Sequence, residues 1–402
     1  MNLDELFSSA SPSVVLAIDI PAAIADDIEK ASVYFSPDIE RLSVNADRRG
    51  VTIVARPGAD TETVLAKAHR AISSMVRAAR DIPITVHYER ENGKPIARRV
   101  NEELIQRRWM FEHADGQVSL AGAALKLLTT LDARLAEAYR AAFNAVDQMY
   151  PAMVSPNLLH RVGYFSSHPN AASFVCHMVE DFDELEQFRA ANGGAVFSAP
   201  AAGSVTAPQR CLNPAACFPC YERLQGQIID PAPLVLTWSG RVFRYESRNM
   251  RGLERLWEFN VRELVFIGSE AFTLAARQTM LKLLDELARE WDLACRVESA
   301  TDAFFPTVYG PQSFWQRVKD VKYEFRLPIE PGENGKERTL AAGSINMHGP
   351  FFGEAFGIRL PDGEIASTAC VGWGLERLVF ALFSQHGFDP ETWPNALRGI
   401  FS

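Results

Sequence analysis

From Leu234 onward the chain reads as a succession of apolar, strand-like runs: LVLTW, GRVFRYE, RLWEFNVRELVFIG, YEFRLPI, RTLAAGSINM, EAFGIRL and EIASTACV. Strands in close succession pair antiparallel, and the helical patterns among them, Glu270 to Trp291 and Leu375 to His386, then lie outside the sheet. The expected fold class is α+β, with a largely antiparallel sheet flanked by helices.

Upstream, Leu128, Leu131, Leu135, Tyr139, Ala142, Val146 and Met149 recur at intervals of three and four, which predicts one long amphipathic helix from Ala121 to Met149, stopped by Tyr150-Pro151. The first 120 residues mix short strand-like runs (SVVLAIDI, RLSV, GVTIVARP, ITVHYE) with helical patches at Ala22 to Lys30 and Thr61 to Ala79. They are expected to form a smaller N-terminal α+β domain, 1–120, preceding a larger domain, 121–402. The stretch 193–209, rich in Gly, Ala, Ser and Pro, reads as a mobile loop. Arg90, Lys94, Arg98, Arg99, Arg107 and Arg108, interleaved with Glu89, Glu91, Glu102 and Glu103, suit either a solvated charged surface or contact with an anionic partner.

A chain of 402 residues with 47% hydrophobic and 23% charged content, and no apolar run of membrane-spanning length, is expected to be globular and not membrane-bound. Its acidic start, MNLDELFSSASPS, differs from a basic secretory leader, so a cytoplasmic location is expected. In a reducing compartment the six cysteines (176, 211, 217, 220, 295 and 370) serve as thiols or metal ligands and do not form a disulfide framework. The net charge of −9 argues against general polyanion binding, although local basic patches are compatible with it.

Three arginines stand on or beside apolar elements: Arg244 in VFRYES, Arg255 in GLERLWEF and Arg377 in GWGLERLVF. A partly buried guanidinium needs an anion, and three that converge suit a polyphosphate. The order FRYE, loop, LERLWEF and, roughly 110 residues later, GWGLERLVFAL resembles motifs 2 and 3 of the class II aminoacyl-tRNA synthetases. The long helix followed by PAMVSP resembles motif 1, with Pro156 as its proline. The resemblance implies that Arg244 holds the α-phosphate of ATP, Glu246 the adenine amino edge, and Arg255 with Arg377 the γ-phosphate, while Phe259 stacks on adenine. It makes Arg244, Glu246 and Arg377 the catalytic set, and implies Mg²⁺ on the polyphosphate and a homodimer built on motif 1. No P-loop is present as an alternative nucleotide site.

Cys217 in NPAACFP precedes motif 2, Glu263 lies four residues after Phe259, and Cys370 in STACVGWG enters motif 3. Two thiolates and a carboxylate leave one tetrahedral position open, as a catalytic or substrate-binding zinc requires. This Cys, Glu, Cys arrangement is similar to that of the zinc-dependent seryl-tRNA synthetases and of their shortened relatives, the amino acid:[carrier protein] ligases. A structural zinc on Cys211, Cys217 and Cys220, or buried metal-free thiols, are the other readings of the same cysteines. GSINMHGPFFGEAFGI also resembles the carrier protein ligases through its S-x-N-x-H and FxxxFGI elements. Ser344 and Asn346, two apart on a strand, face one side and are expected with Glu263 to bind the substrate; a polar strand face satisfied by backbone is the plainer alternative. His348 has no assigned role. Where seryl-tRNA synthetases carry a Glu shortly before the corresponding Ser, this chain has Thr339, Ala341 and Ala342, with Glu337 the closest acid.

The leading expectation is activation of a small amino acid (Gly, Ala or Ser) as its adenylate at a zinc site, followed by transfer to the phosphopantetheine thiol of a carrier protein. The same chemistry with tRNA as acceptor, and a catalytically silent paralogue that binds and regulates, are the alternatives.

Overall fold

The computed structural model describes residues 13–79, 83–94, 96–302, 304–306, 316, 319–332, 335 and 337–402. The first unit comprises β1 (Ser13–Ala17), α1 (Ala25–Ala31), β2 (Ile39–Val44), β3 (Gly50–Ala55) and α2 (Thr61–Ala78). Its strands form an antiparallel sheet in the order β1-β3-β2. Alternate residues Val51 and Ile53 face Ile28 of α1 and Ala68 and Ile72 of α2 in a core of their own. The Asp60 side chain caps α2 by accepting from the Glu62 amide.

Next come β4 (Val86–Arg90), α3 (Val100–Gln106), the hairpin β5 (Met110–Ala114) and β6 (Gln117–Leu120), and the long helix α4 (Gly122–Phe143). Strand β4 pairs with the large sheet, and Val100, Leu104 and Met110 are buried in the larger core. Packing thus divides the expected 1–120 unit: residues 13–79 surround their own core, and 86–120 are built into the larger body. The helix expected to reach Met149 ends earlier, at Asn144, which adopts a left-handed conformation (φ 51°). Val146 begins β7 (Val146–Asp147), and both it and Met149 are exposed. These two residues continue the helical spacing by coincidence of phase, and Tyr150-Pro151 lies beyond the true stop.

The chain continues through β8 (Met153–Val154), α5 (Pro156–Arg161), α6 (Tyr164–Ser167), β9 (Phe174–Val175), α7 (Phe182–Ala191), β10 (Arg210–Leu212) and α8 (Phe218–Arg223). Pro156 occupies the first turn of α5, where a missing N–H costs nothing. Then follow β11 (Leu234–Phe243), β12 (Glu258–Gly268), α9 (Glu270–Glu290), β13 (Cys295–Ser299), β14 (Lys322–Ile329), β15 (Arg338–Gly349), α10 (Phe351–Phe356), β16 (Ser367–Gly374), α11 (Leu375–His386) and α12 (Asn395–Arg398). EAFGIRL, expected as a strand, is instead the end of α10 and its exit turn. Phe352 and Phe356, four apart, are both buried on one helical face, and Gly357 (φ 66°) ends the helix.

The main sheet has the order β4-β13-β14-β15-β16-β12-β11-β7. It is antiparallel throughout except for the short pairing of β7 with β11. One face carries Leu264, Phe266, Phe325, Leu327, Val371 and Trp373, which pack in a common core with apolar residues of α4, α9 and α11. The alternate residues face the other way: on β11 and β12, Trp238, Val242, Val265 and Ile267 pack with apolar residues of α5, α8 and α10 in a second core, and on β14 and β15 this face turns polar with Lys322, Glu324, Ser344 and Asn346. None of the described helices is long and apolar enough to cross a membrane.

Candidate active site

The period-two alternation that buries Leu264 and Val371 among the helices turns Glu263 and Cys370 to the opposite face. Val265 is the register partner of Cys370, and Glu263 that of Gly372, so thiol and carboxylate stand two residues apart on adjacent strands. Cys217, immediately before α8, completes the group: the ligand atoms of Cys217, Glu263 and Cys370 all lie within 4.8 Å of one another, and all three residues are buried. Among the described residues no other three His, Cys, Asp or Glu converge in this way. Cys211 and Cys220 are buried elsewhere in the same layer, on β10 and α8, outside that cluster. Gly372 makes room for the carboxylate, since a Cβ there would stand 3.0 Å from Glu263 Oε2.

The three groups are all acids, and burial disfavours their charged forms. Burial, reinforced by the charge of Cys370, pushes Glu263 well above the usual carboxylate range. The hydrogen bond with Cys217, then burial, raises the Cys370 thiol. A divalent cation would supply the missing positive charge and convert both thiols to thiolates. The donor set, two sulfurs and one carboxylate with no fourth acid in the cluster, fits a zinc ion with an open position.

Ser344 and Asn346 share the polar face on β15, and Asn346 is the register partner of Cys370. Asn346 Nδ2 lies 3.0 Å from Ser344 Oγ and 3.6 Å from Cys370 Sγ, so the strand's polar residues are tied to the cysteine. Across β14, Lys322 pairs with Asn346 and Glu324 with Ser344, extending the polar row. The sequence reading did not single these two out. Their signal was the alternation K-Y-E-F-R, in which Tyr323 and Phe325 are buried and the charged residues face the site. Lys322 is itself paired with Asp302 and stands 3.8 Å from Glu324.

The motif residues gather beside this row. Arg244 follows directly on β11, donates Nε–H to the Pro214 carbonyl at 2.8 Å, and sets its guanidinium 5.9 Å from the ring centre of Phe259 on β12. Arg377, in the first turn of α11, donates to the carbonyls of Glu254 (2.7 Å) and Ala341 (3.1 Å). Burial lowers its pKa to about 10, and Glu246, Arg255 and Arg244 all stand close enough to act on it electrostatically. Glu246 and Arg255 form an ion pair with each other. A ligand that engages both would therefore have to exchange this pair for its own contacts. Leu253, Leu256, Phe259, Gly374, Glu376 and Arg377 line a small cleft at this point.

Two supporting residues were not evident from sequence. Glu376, buried beside Arg377, accepts hydrogen bonds from the Asn260 amide (2.9 Å) and from Asn260 Nδ2 (2.7 Å), which clamps α11 to β12. Arg262, the neighbour of Glu263, points to the helical side and makes a two-pronged ion pair with Asp132 of α4, both contacts at 2.7 Å.

No family model matches the chain. An amino acid–[acyl-carrier-protein] ligase of Bradyrhizobium diazoefficiens is 34% identical over 257 residues, 62% of this chain and 73% of that protein. A second such ligase from the same organism is 31% identical, over 62% and 74%. The type-2 serine–tRNA ligase of Methanopyrus kandleri is 28% identical over 310 residues, 74% of this chain and 59% of the relative. Among solved structures, M. kandleri seryl-tRNA synthetase in complex with A. aeolicus tRNASec superposes with a TM-score of 0.71 at 24% identity, covering 96% of this chain and 77% of that one. With a class II synthetase fold, and similar also to the type-2 serine–tRNA ligases, the chain belongs to the family of the amino acid–[acyl-carrier-protein] ligases.

Proposed function

We propose that this protein activates a small amino acid (Gly, Ala or Ser) with ATP and passes the aminoacyl group to the phosphopantetheine thiol of a carrier protein. The observation that carries this reading is the convergence of Cys217, Glu263 and Cys370, with Arg244 close enough to act electrostatically on both Glu263 and Arg377. Its setting is a chain 34% identical to a carrier protein ligase over 73% of that ligase.

The amino acid carboxylate attacks the α-phosphorus of ATP, forming a mixed anhydride and releasing pyrophosphate. Arg244 at the α-phosphate stabilises the charge that develops there, and a guanidinium already held by the Pro214 carbonyl needs little reorganisation to do so. Phe259 offers adenine a face, Glu246 its amino edge an acceptor, and Arg255 and Arg377 take the γ-phosphate together with Mg²⁺. Cys217, Glu263 and Cys370 would hold zinc, which when bound supplies a Lewis acid for the α-amino group. Ser344, Asn346 and Glu263 enclose a substrate too small to need a deep pocket. The carrier thiol then attacks the carbonyl carbon, a thioester forms, and AMP leaves with the electron pair of the anhydride bond. The protein acts as a homodimer through α4 and the segment after it, in the cytoplasm, where all six cysteines stay reduced.

A second reading has tRNA as the acceptor. It is favoured by the structural likeness, which runs over 96% of the chain and so extends into the N-terminal unit. Against it, residues 13–79 carry eight basic and nine acidic side chains, without the cationic excess that phosphate backbones select. Incubation with ATP, Mg²⁺, zinc and labelled Gly, Ala or Ser in an extract of the source cells separates the two. Label that survives ribonuclease, precipitates with a small protein and is released by neutral hydroxylamine is expected. Label lost to ribonuclease overturns the carrier reading in favour of tRNA, and label in neither fraction favours the silent paralogue.

A further inference from the structure

His348 closes the S-x-N-x-H run and takes no part in the reaction above. It occupies an irregular position: in the pairing of β15 with β16, Met347 faces Ala369 and Gly349 faces Thr368, so His348 is the extra residue of a bulge. Bulges re-aim side chains, and this one brings the ring against the cysteine two residues along the partner strand from Thr368.

The imidazole has three polar neighbours. Thr368 Oγ1 lies 3.3 Å and Tyr221 OH 3.4 Å from Nδ1, while Cys370 Sγ lies 3.7 Å from Nε2. Phe352 packs edge-on at 4.8 Å between ring centres, with the planes at 82°, which fixes the ring orientation. A neutral imidazole has one N–H and one lone pair. Both neighbours of Nδ1 are hydroxyls, able to donate. A metal-holding Cys370 is a thiolate, able only to accept. The tautomer that satisfies all of them has its lone pair on Nδ1 and its proton on Nε2, directed at the sulfur.

We propose that His348 is a positioning residue of the metal centre, donating Nε2–H to the Cys370 thiolate. It acts together with Asn346, whose Nδ2 approaches the same sulfur at 3.6 Å. The inference rests on the zinc reading of Cys217, Glu263 and Cys370. Hydrogen bonds to a ligating sulfur favour its ionised form and withdraw electron density from it, so the metal holds its remaining ligand more firmly. For this reaction that ligand is the α-amino group, so His348 tunes amino acid affinity without touching the substrate.

The test uses the full-length protein loaded with Co²⁺ in place of zinc. Wild type is expected to bind one equivalent and show thiolate-to-cobalt charge-transfer absorption; absence of that band in wild type overturns the metal reading itself, separately from the role of His348. In His348→Leu the band is expected at lower energy, with metal affinity, measured by chelator competition, falling about 10-fold or more. The KM for amino acid should rise while that for ATP holds. His348→Gln places an amide N–H near the Nε2 position and is expected to restore band energy and affinity. His348→Asn, whose amide reaches only the Nδ1 position, is expected not to. If the Leu variant does not fold, the Gln and Asn pair decides the matter. Equal bands and affinities across these variants overturn the proposal, as does a changed ligand-field pattern showing His348 to be a ligand itself.

Discussion

Glu376 and Asn260 join the last helix of the domain to its central strand: the Glu376 carboxylate accepts from the Asn260 backbone amide at 2.9 Å and from its side-chain Nδ2 at 2.7 Å. Arg377, the next residue, depends on this clamp for its place beside Glu254 and Ala341. Burial raises the pKa of Glu376 to about 7, outweighing the Asn260 hydrogen bonds that act to lower it. A carboxyl whose pKa is higher in the folded state than in the unfolded chain stabilises the fold fully below its unfolded value near 4.5. That contribution is lost as the pH rises to about 7. In Glu376→Gln one acceptor oxygen is gone, which costs about 1–3 kcal/mol, but this titration is gone too. Chemical denaturation at pH 5 and at pH 8 is expected to show a larger stability gap between wild type and variant at pH 5. A gap independent of pH would refute the assignment.

Arg262 holds the strand that presents Glu263. Its guanidinium meets Asp132 of α4 through two parallel contacts, with the arginine side chain 8% exposed. Removing one partner of such a pair strands the other charge. Asp132→Ala is expected to lower stability by about 3 kcal/mol and, by loosening β12, to weaken metal binding. The double variant Arg262→Met with Asp132→Leu should recover much of the stability. If the single and double variants are equally unstable, the pair is not what ties α4 to β12.

The strands of the main sheet were legible in two ways: β14 alternates, with Tyr323, Phe325 and Leu327 buried, whereas β12 and β16, buried on both faces, are written as unbroken apolar runs such as Leu264 to Ile267. The helix α11 was legible to its ends, since Gly374 and Gly387 bracket its apolar run. Two elements misled for definable reasons. Val146 and Met149 lie in helical phase with α4, yet Asn144 turns left-handed before them, a local preference that periodicity does not register. In α10, the two buried phenylalanines are compatible with helix or strand over so short a run. The site residues stood out where chemistry repeats a motif. Glu376 and Arg262 did not, and His348 stood out within S-x-N-x-H without a role, because what these residues do depends on partners 116, 130 and 20 to 127 residues away.

Dimerisation should be visible in the segment after α4. Val146 is 51% and Met149 90% exposed, large apolar side chains beside a two-residue edge strand. In solution the mass is expected to be twice 44.7 kDa. Met149→Glu together with Val146→Glu should shift it to the monomer, since burying two carboxylates at an apolar contact is costly. A wild-type monomer, or a double variant that stays dimeric, would count against an interface at this place.

The three cysteines crowded between 211 and 220 allow the metal site to be located by subtraction. Cys217 shares its cluster with Glu263 and Cys370, whereas Cys211 and Cys220 lie outside it. Cys370→Ala and Glu263→Gln are therefore expected to abolish stoichiometric zinc and amino acid-dependent pyrophosphate exchange. Cys211→Ala should retain both, losing only the packing of a small buried thiol, at about 1 kcal/mol. Chelation of wild type should remove the exchange reaction and re-addition of zinc restore it, with the pH dependence of loading reflecting release of the proton from the Cys370 thiol, which the hydrogen bond with Cys217 and then burial keep protonated in the free protein. Zinc retained in Cys370→Ala but lost in Cys211→Ala would place the metal on the 211–220 cluster and make it structural. Full exchange activity in a protein stripped of metal would remove zinc from the chemistry and leave the buried thiols a packing role alone.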